Sequence, residues 1–158
     1  MDIAKLQQFI IQAKKATYAS GGENQAKNLS NGRKEYIFKE GRLEYVDRYK
    51  GHEEFMGKEE VSKNKKLLWQ MKYKGKVLND KIPADDIYIF LRKVLRQVPA
   101  DKPFRGPIKF CDREYKYINI VNGDLEKFFG KEQVYYKKAL VYELDYLGGA
   151  TNNPNLTL

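Results

Sequence analysis

The chain has 158 residues, 42% of them hydrophobic, and a formal net charge of +9. That length buries a core without covalent staples, while the lone Cys111 and lone His52 exclude an intrachain disulfide and a Cys/His zinc site. The excess of Lys and Arg raises the local concentration of anions without naming one, and because the lysines form no long block, a merely solubilising surface is the bland alternative.

Met1 to Lys15 is interrupted by Lys5, Lys14 and Lys15, so it reads as neither a signal peptide nor a membrane span. A single cysteine suits a reducing compartment, and the expected location is cytoplasmic, with no membrane partner. Asp2 is placed to cap a first helix in which Ile3, Leu6, Ile10, Ala13 and Thr17 follow three- and four-residue steps. Lys5, Gln8, Lys14 and Lys15 fall off that stripe, and the helix is expected to end near Tyr18. Turn-rich composition from Ala19 to Lys34 predicts a long loop, either a lid or a disordered connection. Lys27, Arg33 and Lys34 in it could close over an anion or simply keep it in water.

Tyr36 to Phe38 and Leu43 to Tyr49 predict a hairpin turning at Lys39-Glu40-Gly41-Arg42, followed by strands at Lys58 to Ser62 and Leu67 to Tyr73. Pro83, Asp85 and Asp86 open a second helix whose apolar face is Ile87, Phe90, Leu91, Val94, Leu95 and Val98, and Pro99 stops it. Further strands are expected at Ile108 to Cys111, Glu114 to Val121, Lys131 to Tyr136 and Leu140 to Tyr146. The Asn- and Thr-rich residues 150–158 read as a flexible tail.

Phe55-Met56-Gly57-Lys58-Glu59-Glu60-Val61 returns as Phe128-Phe129-Gly130-Lys131-Glu132-Gln133-Val134. Trp69, Met71, Tyr73 and Gly75 follow the first, and Tyr142, Leu144, Tyr146 and Gly148 follow the second at the same spacing. Tyr45, Asp47 and Gly51 precede the first; Tyr117, Asn119 and Gly123 precede the second, with one extra residue before Phe128. An internal duplication is the natural reading. It makes the fold α+β: a helix-plus-antiparallel-strands unit used twice, giving either one shared antiparallel sheet with both main helices on one face or two small sheets about a pseudo-twofold. One domain is expected over residues 1–149, with pseudo-repeats at about 1–76 and 77–149.

Alternation puts Phe55, Gly57, Glu59 and Val61 on one face, and Phe128, Gly130, Glu132 and Val134 likewise, so a carboxylate stands on an apolar face twice. Buried carboxylates must be paired or hydrogen-bonded. One explanation is that Glu59 and Glu132 accept hydrogen bonds from tyrosine hydroxyls and hold the sheet together. The other is a ligand cavity walled by Tyr18, Tyr45, Tyr49, Trp69, Tyr73 and Tyr142, in which Asp47, Asn119, Glu59 and Glu132 take sugar hydroxyls or base amino groups. Arg105, in Phe104-Arg105-Gly106-Pro107, could fork onto a phosphate or carboxylate of a ligand, or pair with Glu59 or Glu132. His52 lies in a turn beside Glu53 and Glu54, Cys111 reads as a small core residue, and no nucleotide-triphosphate loop, nucleophile elbow or His-Glu-x-x-His pattern occurs.

Ala16-Thr17-Tyr18-Ala19, Tyr45-x-Asp47-x-Tyr49-x-Gly51, Phe55-x-Gly57-x-Glu59, Trp69-x-Met71-x-Tyr73-x-Gly75, Phe104-Arg105-Gly106-Pro107 and Val141-Tyr142-x-Leu144-x-Tyr146-x-Gly148-Gly149 together resemble a bacterial and phage family of unknown function. Its members occur alone or behind helix-turn-helix regulators of the XRE type. The resemblance brings no catalytic residues. It implies a ligand sensor or a freestanding binding domain.

The expected function is therefore non-catalytic binding of a small anionic, nucleotide-like molecule, without a cofactor, as a sensor or a sequestering protein. A nucleic-acid binder using exposed Lys and Tyr, and an enzyme with Glu59 or Glu132 as general base, are the alternatives. A homodimer is compatible with the sequence, though no motif demonstrates it.

Overall fold

The computed structural model describes residues 2–21 and 25–151. Helix α1 (Ile3–Ala16) is capped as expected, Asp2 Oδ1 accepting the Ala4 N–H at 3.0 Å, and it buries Leu6, Phe9, Ile10 and Ala13. A single turn, α2 (Tyr18–Gly21), follows at once. Helix α3 (Ala84–Leu95) begins after Pro83 with Asp85 and Asp86 in its first turn, and turns Ile87, Tyr88, Phe90, Leu91, Val94 and Leu95 inward.

All the strands join one antiparallel sheet. They are β1 (Lys27–Asn28), β2 (Arg33–Glu40), β3 (Leu43–Gly51), β4 (Glu54–Lys63), β5 (Lys66–Val77), β6 (Lys109–Asp112), β7 (Tyr115–Gly123), β8 (Lys127–Tyr136) and β9 (Ala139–Ala150). The order across the sheet is β1-β2-β3-β4-β5-β9-β8-β7-β6. The two candidate architectures are thus decided for one shared sheet, because β5 pairs with β9 along its length, Tyr73 lying opposite Tyr146.

The registers in the two wings correspond. Asp47 faces Glu59 and Tyr45 faces Val61 between β3 and β4; Asn119 faces Glu132 and Tyr117 faces Val134 between β7 and β8. A register shift follows Val61 in one wing and Val134 in the other. Both strand pairs then close on two residues of positive φ, Asn64-Lys65 and Lys137-Lys138, the conformation that matches sheet twist in tight hairpins.

One core cluster joins the inner face of the sheet to α1 and α3. The opposite face carries Arg48, Lys58, Lys72 and Lys74 together with the exposed Ile37, Met56, Ile120, Phe129 and Leu147. No helix among the described residues is long and apolar enough to cross a membrane.

Several local expectations need correction. The Ala19–Lys34 stretch is not one loop: Lys27 lies in β1, while Arg33 and Lys34 pair with β3. The first hairpin turns on Gly41-Arg42, two residues rather than four, with Gly41 at φ 58°. Cys111 is exposed, because Phe110 takes the inward position of the short edge strand β6. β9 runs on to Ala150, inside the expected tail; residues 152–158 lie outside the described residues.

Candidate functional site

Between α1, α3 and the inner face of the β3–β5 wing lies a cavity of about 60 Å³. Tyr45, Asp47 and Tyr49 of β3, Glu59 of β4 and Tyr73 of β5 line it from the sheet, since alternation aims them all the same way. Lys14, Thr17 and Tyr18 close it from the helical side, and Phe104 and Arg105 close it from the loop after α3. Phe55, Tyr88, Leu91, Leu95 and Val98 complete the apolar wall, and His52 stands at the rim.

The charges in and behind this cavity form a dense cluster. Lys14 Nζ donates to Glu59 Oε2 at 2.5 Å and to the Phe104 carbonyl at 2.7 Å. Burial lowers the pKa of Lys14, while the Glu59 charge opposes the fall. The Tyr73 hydroxyl donates to Asp47 Oδ1 at 2.6 Å. Asp47 is pushed up to about 7, first by burial and then by the neighbouring charge of Glu59, against the lowering effect of the Tyr73 hydrogen bond. Burial also pushes the Tyr18 hydroxyl up to about 12. The Tyr45 hydroxyl is driven up by burial, then by the charges of Glu59 and Asp47.

On the far side of Arg105 a second network is fully occupied by the chain itself. The guanidinium of Arg105 forks onto Glu132, Nε to Oε2 at 3.0 Å and a terminal nitrogen to Oε1 at 2.5 Å. The Tyr117 and Tyr142 hydroxyls donate to the same carboxylate at 2.7 and 2.9 Å. The Tyr117 oxygen also accepts the Gly106 N–H at 3.1 Å, and Asn119 Nδ2 donates to the Gly106 carbonyl at 3.0 Å.

Of the two roles left open for Arg105, pairing with Glu132 is the one observed. Tyr18, Tyr45, Asp47, Tyr49, Glu59, Tyr73 and Arg105 come together around the cavity, whereas Asn119, Glu132 and Tyr142 belong to the second network. Trp69 is in neither. It is wholly buried, stacked on Phe128 at 5.7 Å between centroids, and its indole N–H has no hydrogen-bond partner among the described residues.

A family described as domain of unknown function (DUF5680) matches residues 47–151. The chain belongs to this family. The matched segment starts at Asp47 and so holds Asp47, Glu59, Tyr73, Arg105 and Glu132, while the DUF5680 match leaves Lys14, Tyr18 and Tyr45 outside it. No curated protein and no solved structure matches the chain.

Lys14 lines the cavity although its sequence position does not announce it. Its helical position lies off the apolar stripe, which reads as solvent-facing. The Phe104–Gly106 loop covers that edge of α1 and turns it into an inner wall. His52, in the turn after β3, meets Tyr88 edge-on at 5.5 Å and has its Nε2 3.3 Å from Asp85 at the rim. Nothing in the local sequence around either residue marks it.

Proposed function

We propose that this DUF5680 chain is a non-catalytic binding domain, built from a duplicated unit, that holds a small nucleotide-like molecule in the cavity of its first wing. The observation that carries the reading is Asp47, a carboxylate buried in an aromatic cavity beside Glu59. Placing two carboxylates together away from water costs several kcal/mol unless something compensates, and a purely structural network has a cheaper solution in the Asn119 that occupies the corresponding register position.

Size and charge divide such a ligand. A void of about 60 Å³ is well below the roughly 150 Å³ that accommodates a benzene ring. Only a head group enters, and the remainder lies at the mouth. With all groups ionised, Lys14 and Arg105 face Asp47, Glu59 and Glu132, leaving one negative charge in excess, so the interior repels phosphate. The anionic part of the ligand belongs outside, where Arg92 and Arg96 stand beside Tyr18 and Ala19. As a sensor, such a domain would suit fusion to an XRE-type helix-turn-helix; as a freestanding chain in a bacterium or phage, it would sequester its ligand.

The nucleic-acid alternative is supported by the basic outer face of the sheet, but the tyrosines that would stack bases are turned inward: Tyr36, Tyr45, Tyr49, Tyr73, Tyr117, Tyr142 and Tyr146 are all buried. The general-base alternative has less support, because Glu59 is engaged by Lys14 and Glu132 by Arg105. Native mass spectrometry of protein purified from cells, followed by mild denaturation to release what is bound, is the test. A stoichiometric nucleotide-like mass is the expected result. A ligand-free protein that instead binds any oligonucleotide with steep salt dependence would overturn the reading.

A further inference from the structure

The second wing displays what the first wing is built to receive. There, Tyr117, Asn119, Glu132 and Phe128 hold a piece of the chain itself: the Gly106 peptide lies across Tyr117 and Asn119, Arg105 docks on Glu132, and the Phe104 ring stacks on Phe128 at 3.6 Å. The hydrogen-bonding Phe104–Gly106 segment acts as an internal ligand, with the Gly106 N–H as donor and the Gly106 carbonyl of the next peptide as acceptor. In the first wing the residues at the same register, Tyr45, Asp47, Glu59 and Phe55, line the cavity instead. Glu59 is engaged there by Lys14 and by the Tyr45 hydroxyl, so the acceptors left facing the space are the Tyr45 oxygen and Asp47. One Asp47 oxygen takes the Tyr73 hydroxyl, as Asn119 takes that of Tyr146 at 2.8 Å; the other has no hydrogen-bond partner among the described residues.

The two wings differ in one chemically decisive atom. Asn119 presents an NH₂ to the carbonyl of Gly106, whereas ionised Asp47 presents only acceptor oxygen. A molecule lying where the Gly106 peptide lies would still give an N–H to the tyrosine oxygen. In place of the carbonyl it must offer a second N–H, and the excess negative charge of the cluster favours a cationic one.

We infer that the cavity recognises a group with two neighbouring N–H donors, such as an amidinium, a guanidinium or the 2-amino-lactam edge of a purine, held by Asp47 and Tyr45 Oη. This rests on the reading of the cavity as a ligand site and names the edge of the ligand that enters it. Groups facing Asp47 from the surrounding elements are Lys14 of α1, Glu59 of β4, Tyr73 of β5 and Arg105 of the loop. None of these groups makes a hydrogen bond to that second oxygen: Lys14 donates to Glu59 and the Phe104 carbonyl, Arg105 to Glu132, and Tyr73 to the other Asp47 oxygen.

Three isosteric probes separate the possibilities: benzamidinium with two donors, benzamide with one donor and one acceptor, and benzoate with two acceptors. Each is titrated into the ¹⁵N-labelled full chain at pH 8 while amide shifts around Asp47, Gly57 and Gly106 are followed. Benzamidinium is expected to bind about tenfold or more tightly than benzamide, as a charge-assisted bond outweighs a neutral one, with benzoate weakest. Asp47→Asn is expected to weaken benzamidinium about tenfold and to bring benzamide level with it or above. Tyr45→Phe, which removes the second acceptor and leaves the carboxylate, is expected to weaken benzamidinium several-fold. If benzamide or benzoate binds as tightly as benzamidinium, or if both variants bind it like the wild type, the donor-edge inference falls while the cavity remains a ligand site. If none of the three probes moves resonances around the cavity, both fall.

Discussion

Asp47 shows how a single side chain sets both stability and binding. Its folded pKa of about 7 lies above the ordinary 3.8, so between those values the native state holds a proton that the unfolded chain has released. Stability therefore falls as pH rises through that window, and the deficit is fully present above pH 7. Asp47→Asn keeps the acceptor for Tyr73, as Asn119 does for Tyr146. In the ligand-free protein it should raise unfolding free energy at pH 8 by about 2–4 kcal/mol and give almost no gain near pH 4. Urea unfolding at the two pH values checks this; equal gains at both would contradict it. Glu132 has its partners already in place: Arg105, Tyr117 and Tyr142. Arg105→Met leaves that carboxylate buried without its cation and should cost about 3–5 kcal/mol, a large part of which Arg105→Met combined with Glu132→Gln should recover, since the amide removes the charge and keeps an acceptor for Tyr117 and Tyr142. A double-mutant cycle that came out additive would show that the pair is not coupled.

At the level of elements, the turn between β3 and β4 fixes where Asp47 and Tyr49 stand relative to Glu59. Gly51 has φ 105°, and a Cβ there would strike the backbone at Glu54 and Phe55; Gly123 repeats this with φ 93° against Lys127 and Phe128. Gly41, at φ 58°, has nothing near its absent side chain. Gly51→Ala should thus cost about 1–3 kcal/mol from strain and displacement together, and Gly41→Ala only about 1 kcal/mol. Chemical denaturation ranks the two; a larger loss at Gly41 would refute the steric account. The strands themselves were legible from the sequence because alternation reports a half-buried face directly. Their ends were not: β4 begins at Glu54 rather than Lys58, since Glu54 and Phe55 pair with Lys76 and Gly75, and no local pattern announces that partner.

Across the whole molecule, the β5–β9 ladder runs from Trp69 opposite Ala150 to Val77 opposite Tyr142, and one core cluster spans both wings. Phe55 of the first wing stacks on Tyr142 of the second, and Phe128 of the second on Trp69 of the first. Aromatic contacts that cross the midline leave no apolar boundary along which the wings could separate. The chain should unfold in a single transition whose calorimetric and van't Hoff enthalpies agree. Two resolved transitions would mean that the wings are energetically independent. The basic charge is partitioned as well: Arg48, Lys58, Lys72 and Lys74 sit on the uncovered face while the carboxylate-rich cavity lies behind the sheet, a separation invisible in a net charge of +9.

What the amino-acid sequence determined by itself is the local and periodic part of this protein. Asp2 as a cap, the inward aim of Glu59 and Glu132, the tyrosines around them and the recurrence of Phe-x-Gly-x-Glu follow from spacing alone, because neighbouring residues on a strand or helix have fixed relative directions. Tertiary structure decided the rest: that the strands form one sheet, that Arg105 goes to Glu132 and Lys14 to Glu59, and that one wing is filled by Phe104–Gly106 while the other encloses a cavity. Each depends on which distant segment arrives at a given surface. Long-range packing sets that arrival, and spacing along the chain carries no record of it.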